Sequence, residues 1–235
     1  MTVALSIVIP IYNEAAIVRS ALVDLIDQTR RHCDTFEVII AANGCVDGSV
    51  RLVQELQSRT PELRLLEVGE ANYGRALREG LLAATGTWVI CEEIDLCDSD
   101  FHVEALSILR AGQAQFVIGS KRMTGAADER PLVRQVATQV MSGLLRLSLG
   151  FDGTDTHGLK AFSREAVLPV VRACQVERDL FASELVIRAQ RAGIAMREIP
   201  VRVLEKRPPS VHLFRRVPRV LRDLGRLVRV LGPRA

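Results

Sequence analysis

Five carboxylates follow a short apolar segment near the middle of the chain, and their position indicates metal chemistry. Residues 88–91 have the pattern of a buried strand, and the acids after it are Glu92, Glu93, Asp95, Asp98 and Asp100. Carboxylates that follow a strand of a parallel sheet lie at the crevice where α/β proteins bind ligands. Their oxygens are the hard ligands that Mg²⁺ and Mn²⁺ prefer, and either ion can hold a diphosphate. We therefore predict that Glu93 and Asp95 bind a divalent cation, whereas Asp98 or Asp100 caps the next helix.

Apolar runs alternate with amphipathic stretches along most of the chain, and this alternation predicts an α/β fold. Buried strands are expected at residues 4–9, 36–40, 63–68, 88–91 and 116–118. Helical patterns lie between them, the first over 17–25 with Asn13 as its N-cap, and others over 50–56, 76–84 and 101–111. Strands and helices joined by short loops predict a single, Rossmann-like, mostly parallel sheet with helices on both faces.

The second half of the chain continues the same domain, which we place at residues 1–204. A helix is expected over 132–149, with an apolar stripe formed by Val133, Val136, Val140, Leu144 and Leu147. A short extended segment at 155–162, a helix within 177–192 and a strand at 195–203 follow it. We expect these elements to complete the acceptor side of the ligand crevice.

Residues 205–235 are predicted to form a basic amphipathic helical tail. They contain nine Lys and Arg residues against two acids, although the net charge of the whole chain is only +3. One helical stripe is apolar, and arginines occupy nearly the opposite face at 215, 219, 222, 226 and 229. Such a helix is typical of segments that lie on an anionic membrane surface. The alternative is a helix packed on its own domain with solvated arginines. Because aromatic residues are absent from the basic stripe, we expect no nucleic-acid binding.

Cysteine content and hydropathy indicate the cellular setting. The five cysteines are irregularly spaced without a Cys-x-x-Cys pair, so neither a disulfide framework nor a zinc site is indicated. No run approaches the roughly 20 apolar residues of a membrane span, and the first residues lack a signal-peptide pattern. We expect a cytoplasmic protein that is peripheral at the inner face of the membrane.

Several motifs, taken in order, resemble one known family. The motifs are Ser6-Ile-Val-Ile-Pro-Ile-Tyr-Asn-Glu14, Asn43-Gly-Cys-Val-Asp-Gly-Ser49, Asn72-Tyr-Gly-Arg-Ala-Leu-Arg-Glu-Gly80, Glu93-Ile-Asp95, Gly119-Ser-Lys-Arg-Met123, Asp155-Thr-His-Gly-Leu-Lys-Ala-Phe162 and Phe181-Ala-Ser-Glu-Leu185. They resemble family 2 glycosyltransferases with the GT-A fold, in the dolichyl- or polyprenyl-phosphate sugar synthase branch. Glu93-Ile-Asp95 stands where the family has Asp-x-Asp, and Ala42 and Asn43 stand where it has paired aspartates.

The resemblance implies a metal-dependent hexosyltransferase that moves a sugar, with inversion, from a nucleotide-diphosphate sugar to a polyprenyl (dolichyl-type) phosphate. Glu93 and Asp95 would be the catalytic pair that holds Mg²⁺ or Mn²⁺ between the donor phosphates. The nucleotide sugar would be bound by Pro10, Tyr12, Glu14, Asn43, Asp47 and Arg75. The acceptor phosphate would be gathered by Lys121, Arg122, Arg134, Lys160, Lys206 and Arg207. An ionised phosphate is already a nucleophile, so it needs no general base.

Two alternatives stay open. The first is the same donor chemistry on a soluble small molecule, such as a secondary-metabolite scaffold. A hydroxyl acceptor requires a general base, and Asp155 and Glu184 are the candidates. The second is a non-catalytic relative that only binds a nucleotide sugar, although the retained Asp95 and Arg75 argue against it. We interpret His157 as structural or substrate-adjacent.

Overall fold

A seven-stranded sheet forms the centre of the computed structural model, which describes residues 3–128, 132–203 and 213–232, without the side chains of 128, 132–134, 203 and 213–221. The strands are β1 (Leu5–Ile11), β2 (Phe36–Asn43), β3 (Leu63–Val68), β4 (Trp88–Cys91), β5 (Phe116–Ser120), β6 (Ala127–Asp128), β7 (Lys160–Ser163), β8 (Met196–Pro200) and β9 (Arg202–Val203). Their order in the main sheet is β3-β2-β1-β4-β7-β5-β8, while β6 and β9 form a separate parallel pair.

Eight helices are described in these ranges, and they cover both faces of the sheet. They are α1 (Val18–Arg30), α2 (Ser49–Gln57), α3 (Tyr73–Ala83), α4 (Ser99–Arg110), α5 (Leu132–Leu149), α6 (Arg164–Ala173), α7 (Phe181–Arg191) and α8 (Leu213–Leu231). Leu5, Ile7 and Ile9 of β1 face one core with α1 and α4, whereas Val8 faces the other core with α3 and α7. This alternation along a fully buried strand confirms the predicted fold class.

One strand, β7, runs against the direction of its neighbours. It pairs antiparallel with both β4 and β5, so Lys160 lies opposite Cys91 on one side and Ile118 on the other. The first residue of an antiparallel strand lies at the edge where parallel strands end. This reversal therefore brings Lys160 to the carboxyl edge of β4, which the extended segment predicted at 155–162 did not show.

Most of the described residues of the apolar stripe predicted for α5 do not face the core. Val136, Val140 and Leu147 are exposed, Leu147 to 88%. The helix instead buries Leu145 and Leu149, because its sequence offers a second apolar face and the core takes that one. The prediction of the helix was confirmed, but the prediction of its buried face was wrong.

The described part of α8 packs on its own domain. Leu227 is fully buried, and Leu224, Val228 and Leu231 pack beside it against the core that holds α7. Arg222, Arg226 and Arg229 are exposed. Residues 222–231 therefore match the alternative stated above. Among the described helices, none is long and apolar enough to cross a membrane. The predicted boundary between 204 and 205 lies outside the described residues.

Gly158 allows two backbone segments of the site to touch. A Cβ built on it would lie 1.8 Å from the carbonyl oxygen of Gly119, at the end of β5. We expect Gly158→Ala to lower the free energy of unfolding by about 3 kcal/mol, because backbone must move to relieve the overlap. Gly143→Ala is the matched control, since a Cβ on that α5 residue meets nothing within 4 Å. It should stabilise the helix by about 0.5–1 kcal/mol. Chemical denaturation of both variants measures the difference, and equal stabilities would contradict the prediction.

Candidate active site

The loops after β1 and β2 are fastened to each other by side-chain hydrogen bonds. Asn13 Oδ1 accepts the N–H of Val46 at 2.9 Å. Asp47 accepts the N–H of Ala15 at 2.9 Å with one oxygen and that of Ser49 at 3.0 Å with the other. The prediction that Asn13 caps the first helix is wrong, because α1 begins only at Val18. Both side chains hold the loops that carry the predicted nucleotide-binding residues.

Asn72 joins Asn43, the last residue of β2, to a distant part of the chain. Its N–H donates to Asn43 Oδ1, and its own Oδ1 caps α3 by accepting the N–H of Arg75 at 3.1 Å. The same oxygen accepts the N–H of Arg178 at 3.0 Å, and Asn72 Nδ2 donates to Glu177 at 2.8 Å. The turn before α7 is therefore locked onto the N-terminus of α3.

The residues predicted to bind the nucleotide sugar lie along the carboxyl edge of the sheet. Pro10 is buried in β1, Glu14 is buried in the loop after it, and Tyr12 is exposed between them. Arg75, in the first turn of α3, is exposed and forms an ion pair with Glu70 at 3.0 Å. Their contacts with a nucleotide stay predictions.

The acidic loop after β4 separates into ligand candidates and structural residues. Asp98 accepts the N–H of Phe101 at 3.0 Å and caps α4, as predicted. Glu93 and Asp95 are half-buried. Burial raises the pKa of Glu93, and the charge of Asp95 adds to this effect, although Lys121 and Lys160 oppose it. Two carboxylates that disfavour each other's charge are a site that a cation would stabilise.

The carboxylates of the acidic loop are suitable ligands for a divalent cation that also binds a diphosphate. Mg²⁺ and Mn²⁺ favour oxygen ligands, and Mg²⁺ is usually held by one or two protein carboxylates together with substrate phosphates. Glu93 and Asp95 supply two carboxylates, and in the described ranges no three metal-ligating side chains converge into a closed cage. The pair therefore suits a cation whose remaining ligands come from a substrate and water.

Two lysines, Lys121 and Lys160, lie beside the acidic loop. Lys160, only 3% exposed, donates from Nζ to the carbonyl oxygen of Gly158 at 2.7 Å, and burial lowers its pKa. Lys121, which follows β5, places Nζ 3.4 Å from Asp155 Oδ2. Burial acts to raise the pKa of Asp155, but Lys121 and the N–H of His157 outweigh it and hold the pKa below its ordinary value. Asp155 is thus an ionised partner of lysine and a weak proton acceptor.

His157 and Glu184 are structural. His157 Nε2 donates to the carbonyl oxygen of Asp179 at 2.9 Å, and burial lowers the pKa of the imidazole, so the ring stays neutral. Glu184 is fully buried and accepts the N–H groups of Gln175 and Val176. The proposal of Glu184 as a general base is therefore corrected, since its carboxylate binds the backbone of the segment before α7.

The other predicted acceptor residues are less fully described. Arg122 is exposed, and its guanidinium donates to the carbonyl oxygen of Thr154 at 3.4 Å. The side chain of Arg134, and all of Lys206 and Arg207, lie outside the described residues. Their roles stay predictions.

Two residues at the site were missed from the sequence. Burial raises the pKa of Tyr73 well above its ordinary value, with the charges of Glu93 and Asp95 adding to it, so this phenol lies near the acidic loop. The position of Tyr73 directly after Asn72, within one of the family motifs, could have indicated that it belongs to the site. Asp179 had none, because only the fold brings it to His157.

A sequence model described as Glycosyl transferase family 2 matches residues 6–167, which include the strands and loops of this site. The chain belongs to glycosyl transferase family 2. This membership confirms the enzyme family predicted from the motifs.

Relatives of the chain in this family are longer proteins. Glycosyltransferase AglD of Haloferax volcanii is 31% identical over 218 residues, which cover 91% of this chain and 35% of AglD. Dolichyl-phosphate beta-glucosyltransferase ALG5A of Trichomonas vaginalis is 28% identical over 216 residues, 85% of this chain and 65% of the relative. The chain therefore spans less than two thirds of each.

Solved structures with the same fold include two glycosyltransferases. Glucosyl-3-phosphoglycerate synthase from Mycobacterium tuberculosis, in complex with UDP, has a TM-score of 0.65 at 21% identity, covering 99% of this chain and 81% of that one. Mannosyltransferase PcManGT from Pyrobaculum calidifontis, in complex with GDP-Man and Mn²⁺, has a TM-score of 0.64 at 21% identity, covering 97% and 65%. The predicted GT-A fold is thereby confirmed.

The Lys121–Asp155 ion pair should make a pH-dependent contribution to the free energy of unfolding of this chain. Because the pKa of Asp155 is lowered on folding from 3.8, the contribution is complete above that pH and is lost as the pH falls through the folded-state value. We expect Asp155→Asn to lower the free energy of unfolding by about 3 kcal/mol at pH 7. Denaturation of wild type and variant at pH 7 and pH 3 measures this. A difference that does not shrink at pH 3 would contradict the assignment.

Proposed function

We propose that this chain transfers a sugar from a nucleoside-diphosphate sugar to a polyprenyl phosphate at a membrane surface, with inversion at the anomeric carbon. The observation that carries the proposal is the position of two lysines at the edge of the sheet that carries the carboxylates Glu93 and Asp95. Lys160 pairs opposite Cys91 at the end of β4, and Lys121 directly follows β5. Carboxylates suit a cation on the donor diphosphate, and lysines suit a second, anionic substrate. The name of the Trichomonas relative, a dolichyl-phosphate glucosyltransferase, supports the same acceptor class.

On the donor side, Glu93 and Asp95 would hold Mg²⁺ or Mn²⁺ against the diphosphate. When bound, the cation neutralises the charge that develops on the leaving nucleoside diphosphate. The N-terminus of α3, capped by Asn72, presents backbone N–H groups at the same edge and favours anionic groups. Arg75 can leave Glu70 for a phosphate, because exposed ion pairs stabilise a protein by only about 0–1 kcal/mol.

On the acceptor side, Lys121 and Lys160 would position the phosphate oxygen beside the anomeric carbon. A phosphate is ionised at neutral pH and attacks without losing a proton, so positioning is the protein's main task. A hydroxyl acceptor would instead need a base. Glu184 is bound to backbone N–H groups, and Asp155 is held ionised by Lys121. Neither Glu184 nor Asp155 is therefore a suitable general base, and this favours the phosphate acceptor.

A soluble anionic acceptor is the second candidate. The Mycobacterium tuberculosis synthase, whose fold this chain shares, has been solved in complex with phosphoglyceric acid. The same lysines would bind the anionic groups of such an acceptor. The two candidates share an anionic acceptor, and they differ in the lipid and in the need of an attacking hydroxyl for a general base.

Sugar transfer in the presence of Mn²⁺ tests the proposal. UDP-glucose and GDP-mannose are supplied as donors, with dolichyl or undecaprenyl phosphate in anionic vesicles, phosphoglyceric acid, or no acceptor. We expect a glycolipid product from one donor. Transfer to phosphoglyceric acid alone would favour the soluble candidate, and nucleoside-diphosphate binding without transfer would favour a non-catalytic relative.

Vesicle co-sedimentation tests the membrane part separately. Wild type is compared with a variant in which Arg222, Arg226 and Arg229 are all changed to Gln, which leaves the packed apolar side of α8 intact. We expect wild type to bind anionic vesicles and the variant to bind them less, since each basic residue near an anionic surface contributes about 1 kcal/mol. Equal binding would remove α8 from the proposed membrane surface.

A further inference from the structure

A buried carboxylate, Glu92, holds both ends of the loop that carries Glu93 and Asp95. Its Oε1 accepts the N–H of Glu93 at 2.8 Å, and its Oε2 accepts the N–H of Asp98 at 3.2 Å. One side chain thus fixes the first and the last backbone N–H of the six-residue segment 93–98. Cys97, inside this loop, adopts a positive φ of 47°, which is uncommon for a residue other than glycine.

A histidine from the next helix orients this carboxylate. His102 Nε2 lies 2.7 Å from Glu92 Oε2, and both side chains are fully buried. A carboxylate only accepts, so the Nε2–H of His102 donates this hydrogen bond to Glu92. His102 stands on α4, one turn after the Asp98 cap, so the helix that begins at the end of the loop also fixes the residue that holds it.

Stability alone does not explain a Glu–His pair at this position. Replacing both partners of a buried hydrogen bond with apolar groups of the same shape is often nearly neutral or stabilising. The other imidazole nitrogen, His102 Nδ1, is buried and has no hydrogen-bond partner among the described residues, which adds a cost. The hydrogen bond between Glu92 and His102 therefore adds little stability by itself, and what the carboxylate supplies is its hold on the N–H groups of Glu93 and Asp98.

We propose that Glu92 and His102 are positioning residues that set the geometry of Glu93 and Asp95 toward the cation and diphosphate. The inference rests on the proposed function, because the cation site at 93 and 95 belongs to it. Groups that orient metal ligands typically change metal affinity by about 10- to 100-fold when they are removed. Glu92 acts here through the backbone of the ligand loop instead of through the ligand side chains.

Glu92→Gln is the primary test. The amide can still accept one N–H, but its Nε2 cannot accept from Asp98 or from His102, so donors would face donors. We expect the affinity for Mn²⁺, measured by electron paramagnetic resonance of free Mn²⁺ with saturating UDP or GDP, to fall by about 10-fold or more. In the protein without metal or nucleotide, hydrogen exchange at the 93 and 98 amides should become faster.

Glu37→Gln is the matched control at the other end of the sheet. Glu37 is a buried carboxylate that accepts the N–H of Thr85 at 2.8 Å and the hydroxyl of Ser6 at 2.7 Å, near the amino ends of β1 and β2. It therefore makes the same kind of contact, to a loop that carries no ligand. We expect it to lower the melting temperature and to leave Mn²⁺ affinity and exchange at 93–98 unchanged.

Two further variants separate positioning from folding. His102→Gln keeps a donor toward Glu92 and should retain most of the Mn²⁺ affinity. The double change Glu92→Met with His102→Leu fills the space with apolar side chains and avoids the facing donors of Glu92→Gln, so it should fold. It should bind Mn²⁺ as weakly as Glu92→Gln, because the N–H groups of Glu93 and Asp98 lose their acceptor. This second variant keeps the test valid even if Glu92→Gln does not fold.

The outcomes distinguish the inference from the function on which it rests. If wild type and the folded Glu92 variants bind Mn²⁺ equally, the positioning role is overturned while the cation site stands. If wild type binds no Mn²⁺ with either nucleotide, the proposed function fails and the inference falls with it. Weaker binding in Glu37→Gln to the same degree would show a general effect of destabilisation and also overturn the positioning role.

Discussion

Asp95→Asn is expected to lower the kcat/KM of sugar transfer by about 1,000-fold, the largest effect of any single change at the site. A cation on the diphosphate stabilises the developing negative charge by several kcal/mol, and each 1.36 kcal/mol corresponds to about tenfold in rate. The amide keeps one oxygen and the shape of the side chain, but it removes the charge. Transfer is measured at several Mn²⁺ concentrations, where a loss of metal affinity appears as a shift toward higher concentration.

Asp100→Asn is the matched control for Asp95→Asn. Asp100 belongs to the same acidic segment, but it is exposed in the first turn of α4. Its loss should cost stability by no more than about 1 kcal/mol through the helix dipole and should leave transfer unchanged. Equal losses in the two variants would mean that net charge, and not a bound cation, is what the segment supplies. Unchanged transfer in Asp95→Asn would remove the cation from the proposed site.

The strands and most helices could be predicted because their signals are local. The apolar runs of β1, β2 and β4 are rich enough in β-branched residues to be recognised without knowledge of their neighbours. The helix over α5 was found, but its buried face was not, since two apolar faces compete and only tertiary packing decides between them. α6 was missed, and it carries Pro169 inside the helix, which weakens the local helical pattern.

The site was predictable where a motif carries it and not where the fold assembles it. Glu93 and Asp95 follow a strand, so their place at the carboxyl edge followed from chain order. Lys160 reached the same edge only through the reversed direction of β7, which pairing alone reveals. From the sequence, Glu92 cannot be distinguished from the other acids of the cluster, because no nearby residue indicates that His102 contacts it. Contacts across ten residues or more are set by packing, and periodicity does not encode them.

Lys160→Met is expected to separate activity from stability. Burial lowers the pKa of Lys160 from 10.5, so the folded chain holds the charged lysine less readily than the unfolded chain does. By linkage, this penalty on folding is complete below the folded-state pKa and is relieved as the pH rises from there toward 10.5. Methionine has a similar length without the charge. We therefore expect the variant to melt at an equal or higher temperature at pH 7.

The same change should reduce transfer, because it removes the positive charge that would bind the anionic acceptor. Removing one member of a buried charge pair costs roughly 2–5 kcal/mol, so kcat/KM for the acceptor should fall by about 100-fold or more, with donor binding unchanged. Arg197→Met, on the exposed side of β8, is the control and should leave transfer intact. In wild type, the rate should fall as the pH rises through the lowered pKa of Lys160, before pH 10.5. A variant that is less stable but fully active would instead identify Lys160 as a structural residue.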